Sequence, residues 1–467
     1  MTERTRISWK EKALMVVVLT ALAFYYNRDF LWHCSYQELI LTNDVSPILI
    51  GYKATPHLFP DSLHWWHGSW IQGIQDGIPA FRPLTAYLYW TDCWLGMHYG
   101  FVWAAWLGFV LFVINCLLGS TLAWRFTQSR LLMIAAGVLS TQVHFYNFME
   151  GAWLKWFPGH QELFMNAFLL GAVICFDIAH SDDRPRYYGY SYGLFVLGCF
   201  AKEHVYIFPA MALSLMLARR AASPLASLRG WFFTGATFLF VGFLWFYRKL
   251  VITNPRTPHI SGLRQLWVKP LCFMYTPFYR YCASKDSNIW FVGVALLIFC
   301  MAGLYLKFLK HPLAESEWGK FLRRRPYVTV ALAIAVICLY VQAMGQSSIE
   351  LFWWLFDPSG ITKRAQFTDM ADMLLIFYYT YLFWKYRKVE PTAAIWLLLL
   401  LEYTPVITYI GWHYTLPAWF VQTVYLTVIA KLIWIDIGRP FELLLTKPSC
   451  LAVVPGSFGA NLESAPT

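Results

Sequence analysis

The sequence predicts an all-α integral membrane protein of about twelve transmembrane helices, and three observations lead there. Of the 467 residues, 58% are hydrophobic and 19% aromatic, while only 13% are charged. A water-facing surface on a chain of this size needs roughly a quarter of its positions charged. Apolar runs of membrane length recur from one end to the other, and Lys and Arg gather beside them. The formal charge of +11 therefore reads as topology anchoring, and nucleic acid is not an expected partner.

Taking roughly 20 apolar residues per crossing, the spans fall near 12–27, 98–121, 131–147, 161–179, 187–201, 205–218, 230–250, 289–308, 326–345, 369–386, 391–411 and 415–435. The basic start followed by an apolar run offers a secretory cleavage site at Ala21-Leu22-Ala23, but the run continues through Tyr26, so a retained helix is expected. With the amino terminus cytoplasmic, the inside loops contain Arg125 and Arg130, Arg184 and Arg186, Arg219 to Arg229, Lys307 to Arg325, and Lys385 to Lys388. Each is basic, as the positive-inside rule asks. The exception is 248–285, whose Arg248, Lys249 and Arg256 fall on the outer side: either one span is miscounted, or those charges meet an anionic partner there. Residues 1–440 form a single multispanning domain and 441–467 a short cytoplasmic tail. Cys116, Cys175, Cys199, Cys300 and Cys338 sit inside apolar runs as core residues, whereas Cys34 with Cys93, or Cys272 with Cys282, have the placement of outer-face pairs.

Segment 28–97 is far longer than a turn, and a loop of that length between membrane helices points to a functional element. Residues 36–51 are amphipathic and 61–90 alternate aromatic and apolar positions, the pattern of interfacial helices. Asp44 follows Asn43 and precedes a Ser-Pro pair, so it is read either as a helix cap or as a general base at the membrane surface. Phe81-Arg82-Pro83-Leu84 places an arginine before a proline-started helix, suited to a phosphate or to ordinary snorkelling. Ala201-Lys202-Glu203-His204 interrupts an apolar run, and two readings compete: a structural Lys–Glu pair at a helix break, or a Lys and His facing substrate. His57, Asp61, His64 and His67 fall near helical spacing with Pro60 at a helix start; histidines beside tryptophans are ordinary at an interface, and a divalent metal is the alternative. Glu150 borders another outer loop and is a candidate second acid. No P-loop and no dinucleotide glycine fingerprint is present, so nothing indicates a nucleotide cofactor.

Over about residues 1–215 the pattern resembles the GT-C superfamily of polyprenyl-phosphate-dependent glycosyltransferases, including the protein O-mannosyltransferases and their bacterial relatives. The basic start, one helix, a long outer loop with an acid, Phe81-Arg82-Pro83-Leu84-Thr85 leading into Tyr87 and Trp90, and Ala201-Lys202-Glu203-His204 carry the likeness. The resemblance implies transfer of a sugar from a polyprenyl-phosphate carrier to a glycan, lipid or protein acceptor on the outer face, and the compact loops suit a bacterial inner membrane. No cofactor is required by it. Asp44 would be the base, with Asp29 a rival because relatives often carry two adjacent acids where this chain has Asn43-Asp44. Arg82, Lys202, Glu203 and His204 would hold the lipid phosphate. Trp412-His413-Tyr414 is similar to a late family segment, and Arg256 lies in the basic stretch that would face an acidic carrier. The rival class is a secondary transporter or flippase, which tends to show inverted repeats and midplane polar groups; a non-catalytic relative is a third reading.

Overall fold

The computed structural model describes residues 8–32, 45–55, 57–67, 81–141, 157–219, 221–251 and 416–435, with isolated positions between 385 and 402. Among the described residues the chain is helical throughout and has no strand. The helices are α1 (Trp9–Trp32), α2 (Val45–Ala54), α3 (Pro83–Tyr99), α4 (Phe101–Thr127), α5 (Arg130–Thr141), α6 (Phe157–Ser181), α7 (Arg186–Ala201), α8 (Phe208–Ala218), α9 (Pro224–Val251) and α10 (Leu416–Ile433). A single helical turn at Leu58–Asp61 runs into a 3-10 segment at Ser62–Trp66, and a second 3-10 segment, Glu203–Ile207, joins α7 to α8.

Three of these helices, α4, α6 from Gly159, and α9, are long and apolar enough to cross a membrane. Helices also stand at the predicted spans 12–27, 131–147, 187–201, 205–218 and 415–435. The spans at 289–308 and 326–345 lie outside the described residues, as do nearly all of 369–386 and 391–411.

Local chemistry explains where the helices begin and end. α1 opens on a reciprocal cap in which Ser8 N–H donates to Glu11 Oε2 at 2.7 Å and Glu11 N–H donates to Ser8 Oγ at 3.2 Å. It continues past the apolar run to Trp32, with Asn27 donating back to the Ala23 carbonyl at 2.7 Å. Asp29, expected just after the first helix, is thus within its last two turns. The span expected from residue 98 is two helices: α3 stops at Tyr99, Gly100 takes φ +101°, and α4 starts at Phe101. That backbone conformation favours glycine.

The core is built around α4 and α6, which run side by side in the same direction. Asn115 Nδ2 donates to the Leu163 carbonyl at 2.8 Å and Asn166 Nδ2 donates to Asn115 Oδ1 at 2.9 Å. α7 returns along α6, with Ser191 Oγ donating to the Ala172 carbonyl at 2.8 Å. α5 returns along α4 at close range, for a Cβ on Gly137 would meet Ser120 Oγ at 2.3 Å and Leu19 at 2.7 Å. Small residues let backbones approach this way in apolar bundles. α10 wedges against both, its Trp419 Nε1 donating to the Ser140 carbonyl at 3.2 Å and its Phe420 ring 6.0 Å from that of Phe112.

One end of the bundle is tied by ions. Asp177 receives Arg125 Nε at 2.5 Å and Arg219 Nη1 at 2.6 Å, and Arg125 Nη1 lies 2.7 Å from Asp182. Arg219 Nη2 also donates to the Arg125 carbonyl at 2.6 Å. Glu11 meets Arg130 at 3.0 Å and Asp183 meets Arg229 at 3.7 Å. These are the basic loops that charge placed on one side. Cys93, Cys116, Cys175 and Cys199 are free thiols, so Cys93 does not pair with Cys34; it is buried on α3 in a cluster with Ile48 and Leu49 of α2. Cys34, Cys272, Cys282, Cys300 and Cys338 lie outside the described residues.

Replacing Asp177 with Ala takes away the carboxylate that two buried guanidiniums share and leaves Asp182 with Arg125 alone, and breaking a buried pair from one side costs about 3–5 kcal/mol. Asp177→Ala should therefore sharply lower the thermal midpoint of the protein in detergent. A midpoint equal to the wild type would show that the network ties nothing.

Candidate functional site

At the opposite end of the described helices, charged side chains from five segments meet. α7 stops at Ala201 because Lys202 turns to an extended conformation, φ −160° and ψ 148°, before the 3-10 segment begins. Pro209 in the first turn of α8 restarts the helix. The break expected at Lys202-Glu203-His204 is therefore present, but the adjacent Lys–Glu pair is not. Lys202 Nζ pairs with Glu162 on α6. Glu203 receives Arg82, Nη2 at 2.6 Å and Nε at 2.8 Å from Oε2, and Arg248 of α9, whose Nη2 lies 3.0 Å from Oε1. His204 Nε2 lies 2.9 Å from Oε2 of Glu402, with both side chains buried. Three consecutive residues thus face acids or bases on different elements, which sequence neighbours on a continuous helix could not do so evenly.

Arg82 owes its place to α3. Pro83 occupies the first helical turn and Arg82 the residue before it, as the sequence indicated. Phe81 packs its ring on Tyr247 at 5.5 Å and Phe200 at 6.1 Å, and Tyr247 Oη donates to the Trp66 carbonyl at 3.0 Å. Thr85, Tyr89 and Asp92 recur at helical spacing on one face of α3. Thr85 Oγ1 donates to the Ala201 carbonyl at 2.6 Å, Tyr89 Oη donates to Gln161 Oε1 at 2.7 Å, and Asp92 holds His160 Nδ1 at 3.0 and 3.1 Å from its two oxygens. His160 fits because α4 carries Gly108 opposite it; a Cβ there would fall 2.2 Å from Nε2. On the other face, Trp90 Nε1 donates to the Thr55 carbonyl at 3.0 Å, which seats α2 on α3.

Burial alone would raise the Glu203 carboxyl, but the two guanidiniums at Arg82 and Arg248 overcome it and hold the group down to about 2. Glu203 is therefore ionised throughout the working range of pH. Its neighbours Arg82 and Arg248 keep 28% and 22% of their side chains accessible.

Arg82, Lys202, Glu203 and His204 are thus brought together. Asp44, Glu150, Arg256 and His413 lie outside the described residues. Asp29 belongs to the end of α1 that packs through Trp32 on Trp106 of α4, with rings 5.9 Å apart. Of the basic stretch, Arg248 pairs within the chain with Glu203, and Lys249 sits 3.7 Å from the Trp245 ring centroid. Sequence reading missed Glu162, Glu402 and Asp92, although a carboxylate inside or beside an apolar run is itself a signal. The histidines near Asp61 serve a turn: His57 N–H donates to Asp61 Oδ2 at 3.2 Å and His64 Nδ1 contacts the Asp61 carbonyl. Among the described residues no group of three or more His, Cys, Asp or Glu could hold a metal ion. Compared with known proteins, the chain matches no family model, no curated protein and no solved structure.

Gly108→Ala should push His160 out of line with Asp92 and destabilise the protein by about 1–3 kcal/mol, the usual cost of overpacking; unchanged thermal unfolding would refute the close fit. The Glu203 carboxyl is depressed from 4.5 to about 2 on folding, so its ion pairs stabilise fully above about pH 4.5 and lose that effect as pH falls toward 2. The gap in thermal midpoint between wild type and Glu203→Gln should be constant from about pH 8 to 5 and narrow below that. A gap that widens on acidification would contradict the assignment.

Proposed function

We propose that the chain is a GT-C-type glycosyltransferase that moves a sugar from a polyprenyl-phosphate carrier to an acceptor on the extracytoplasmic face of a bacterial inner membrane. In this reading the chain crosses the membrane about twelve times with its amino terminus in the cytoplasm. The observation that supports it most is the meeting of Arg82 and Arg248, from elements 166 positions apart in sequence, on the break that carries Lys202 and His204. Partly accessible guanidiniums at helix ends suit a phosphate at the membrane surface, and arginine is the residue best shaped for phosphate oxygens. The cluster also lies opposite the end where the basic loops are tied, the side that charge placed outward.

The reaction is direct displacement at the anomeric carbon. The acceptor oxygen bonds to that carbon, the carbon–oxygen bond to phosphate breaks, and its electron pair stays on the phosphate. A carboxylate takes the acceptor proton, with Asp44 the first candidate and Asp29 and Glu150 behind it. Arg82, Arg248 and Lys202 offset the charge that grows on the leaving phosphate, while His204 and Glu402 fix the helix break. The chemistry as written uses no cofactor.

Protein reconstituted in lipid and supplied with a panel of polyprenyl-phosphate sugars should release polyprenyl phosphate. Arg82→Ala should cut the turnover number by about 10²–10³-fold, the usual loss for one charge-stabilising donor, and Asp44→Asn should abolish release without unfolding the protein. Absence of release with every donor, together with gradient-driven solute uptake, would replace the enzyme with a transporter.

A further inference from the structure

Three elements bring basic groups to the Glu203 end of the bundle: α3 with Arg82, the end of α7 with Lys202, and α9 with Arg248. Each of them also presents an aromatic side chain to one residue, Trp66. Trp66 Nε1 donates to Tyr87 Oη of α3 at 3.4 Å, its ring stands edge-on to Phe200 of α7 at 5.2 Å, and its carbonyl accepts from Tyr247 Oη of α9 at 3.0 Å. Phe200 and Tyr247 in turn hold Phe81, the residue before Arg82. Tyr247 directly precedes Arg248, and Phe200 stands two positions before Lys202.

The segment that carries Trp66, from His57 to His67, has two unlike sides. Ser62 and Trp65 are buried against α3, where Tyr87 Oη donates to Ser62 Oγ at 3.1 Å and the Trp65 and Tyr87 rings lie 4.8 Å apart. Phe59 and Leu63 are 67 and 54% exposed. The segment makes its shape locally, since His57 N–H donates to Asp61 Oδ2 at 3.2 Å and His67 N–H donates to the His64 carbonyl at 3.0 Å. Upstream, Thr55 is buried and its carbonyl takes Trp90 Nε1 at 3.0 Å, which gives the segment a fixed end. A short piece of chain held to the bundle by hydroxyls and ring edges opens at lower cost than the long helices beneath it.

We propose that residues 57–67 are a lid on the Glu203 cluster, latched by Trp66 with Thr55 as its fixed end, and that Arg82 and Arg248 gain full access when it lifts. With the lid down the two guanidiniums are reached only in part. Lifting Trp66 breaks its contacts to Tyr87, Phe200 and Tyr247 together, so one residue releases all three elements that bear the cations. A lid of this kind commits a bound ligand and keeps water from it. The device goes beyond sugar transfer, for it serves any ligand that approaches these arginines from the lid side.

The experiment uses the full chain in phosphatidylcholine nanodiscs and needs no donor. Tyr87→Phe and Tyr247→Phe together keep every ring and delete the three hydroxyl bonds that hold Ser62 and Trp66. In this double variant, amide exchange read by mass spectrometry should quicken about tenfold or more across the lid, in keeping with the net loss of hydrogen bonds, and stay unchanged in α3 and α7. Modification of Arg82 and Arg248 by phenylglyoxal should rise about threefold or more, with Arg125 and Arg219 at the other end unaffected. Trp66→Ala should give the same pattern more strongly. Lid exchange equal to wild type would refute the latch, and faster exchange with unaltered modification of both arginines would refute the cover. A parallel rise at Arg125 and Arg219 would mean that the bundle loosens as a whole, which also overturns the lid. Should the double variant not fold, Tyr247→Phe alone carries the same readings at smaller amplitude. Sugar transfer by a protein whose lid readings fail, or intact lid readings in a protein that transfers no sugar, would separate this inference from the glycosyltransferase.

Discussion

A charge carried into an apolar bundle has to be met by another, and this requirement organises the described helices. At one end Asp177 collects Arg125 and Arg219 and so binds α4, α6 and the end of α8 into one unit. At the other, Glu203 collects Arg82 and Arg248 and joins the start of α3 to the end of α9. Each is one acid between two arginines. They differ in access: the Asp177 side chain is fully buried, whereas Glu203 is partly open. The first arrangement is sealed from solvent, and the second is reached by it at its edge.

The helices themselves bring this second cluster together only because α3 is fixed independently. Its polar face takes hold of α6 and α7 at Thr85, Tyr89 and Asp92, and the last of these needs a glycine on α4 to make room for His160. Arg82 then has little freedom left, being followed by a proline and preceded by a ring clasped between Phe200 and Tyr247. Aromatic and hydrogen-bonded contacts on α3 thus do the orienting, and the ion pair acts on a side chain already in place.

Much of this was legible in the sequence where the signal was local. Pro83 announced the start of α3, the three ionisable residues after Ala201 announced a break, and charge alone sorted the loops that meet at Asp177. Partners were not legible. Lys202 and Glu203 look like a pair because they are adjacent, yet each is claimed by a residue 40 or more positions away, a distance only the packed helices can close. Helix ends were also misplaced where polar residues continue a helix, as at Asp29, or where one glycine divides an apolar stretch, as at Gly100. His57, Asp61, His64 and His67 fall near helical spacing in the sequence, but the segment that carries them is two short turns.

α9 ends in Arg248, but its outward surface has received less notice than its charge. Leu239, Phe243, Phe246 and Leu250 recur every three or four residues and are 77, 60, 58 and 69% exposed. They form an apolar stripe that, at 100° per residue, lies on the side of α9 opposite Arg248. The helix therefore turns one face of hydrocarbon away from the bundle and carries its guanidinium to Glu203 on the other. One rigid rod keeps the two kinds of contact apart, with no loop between them.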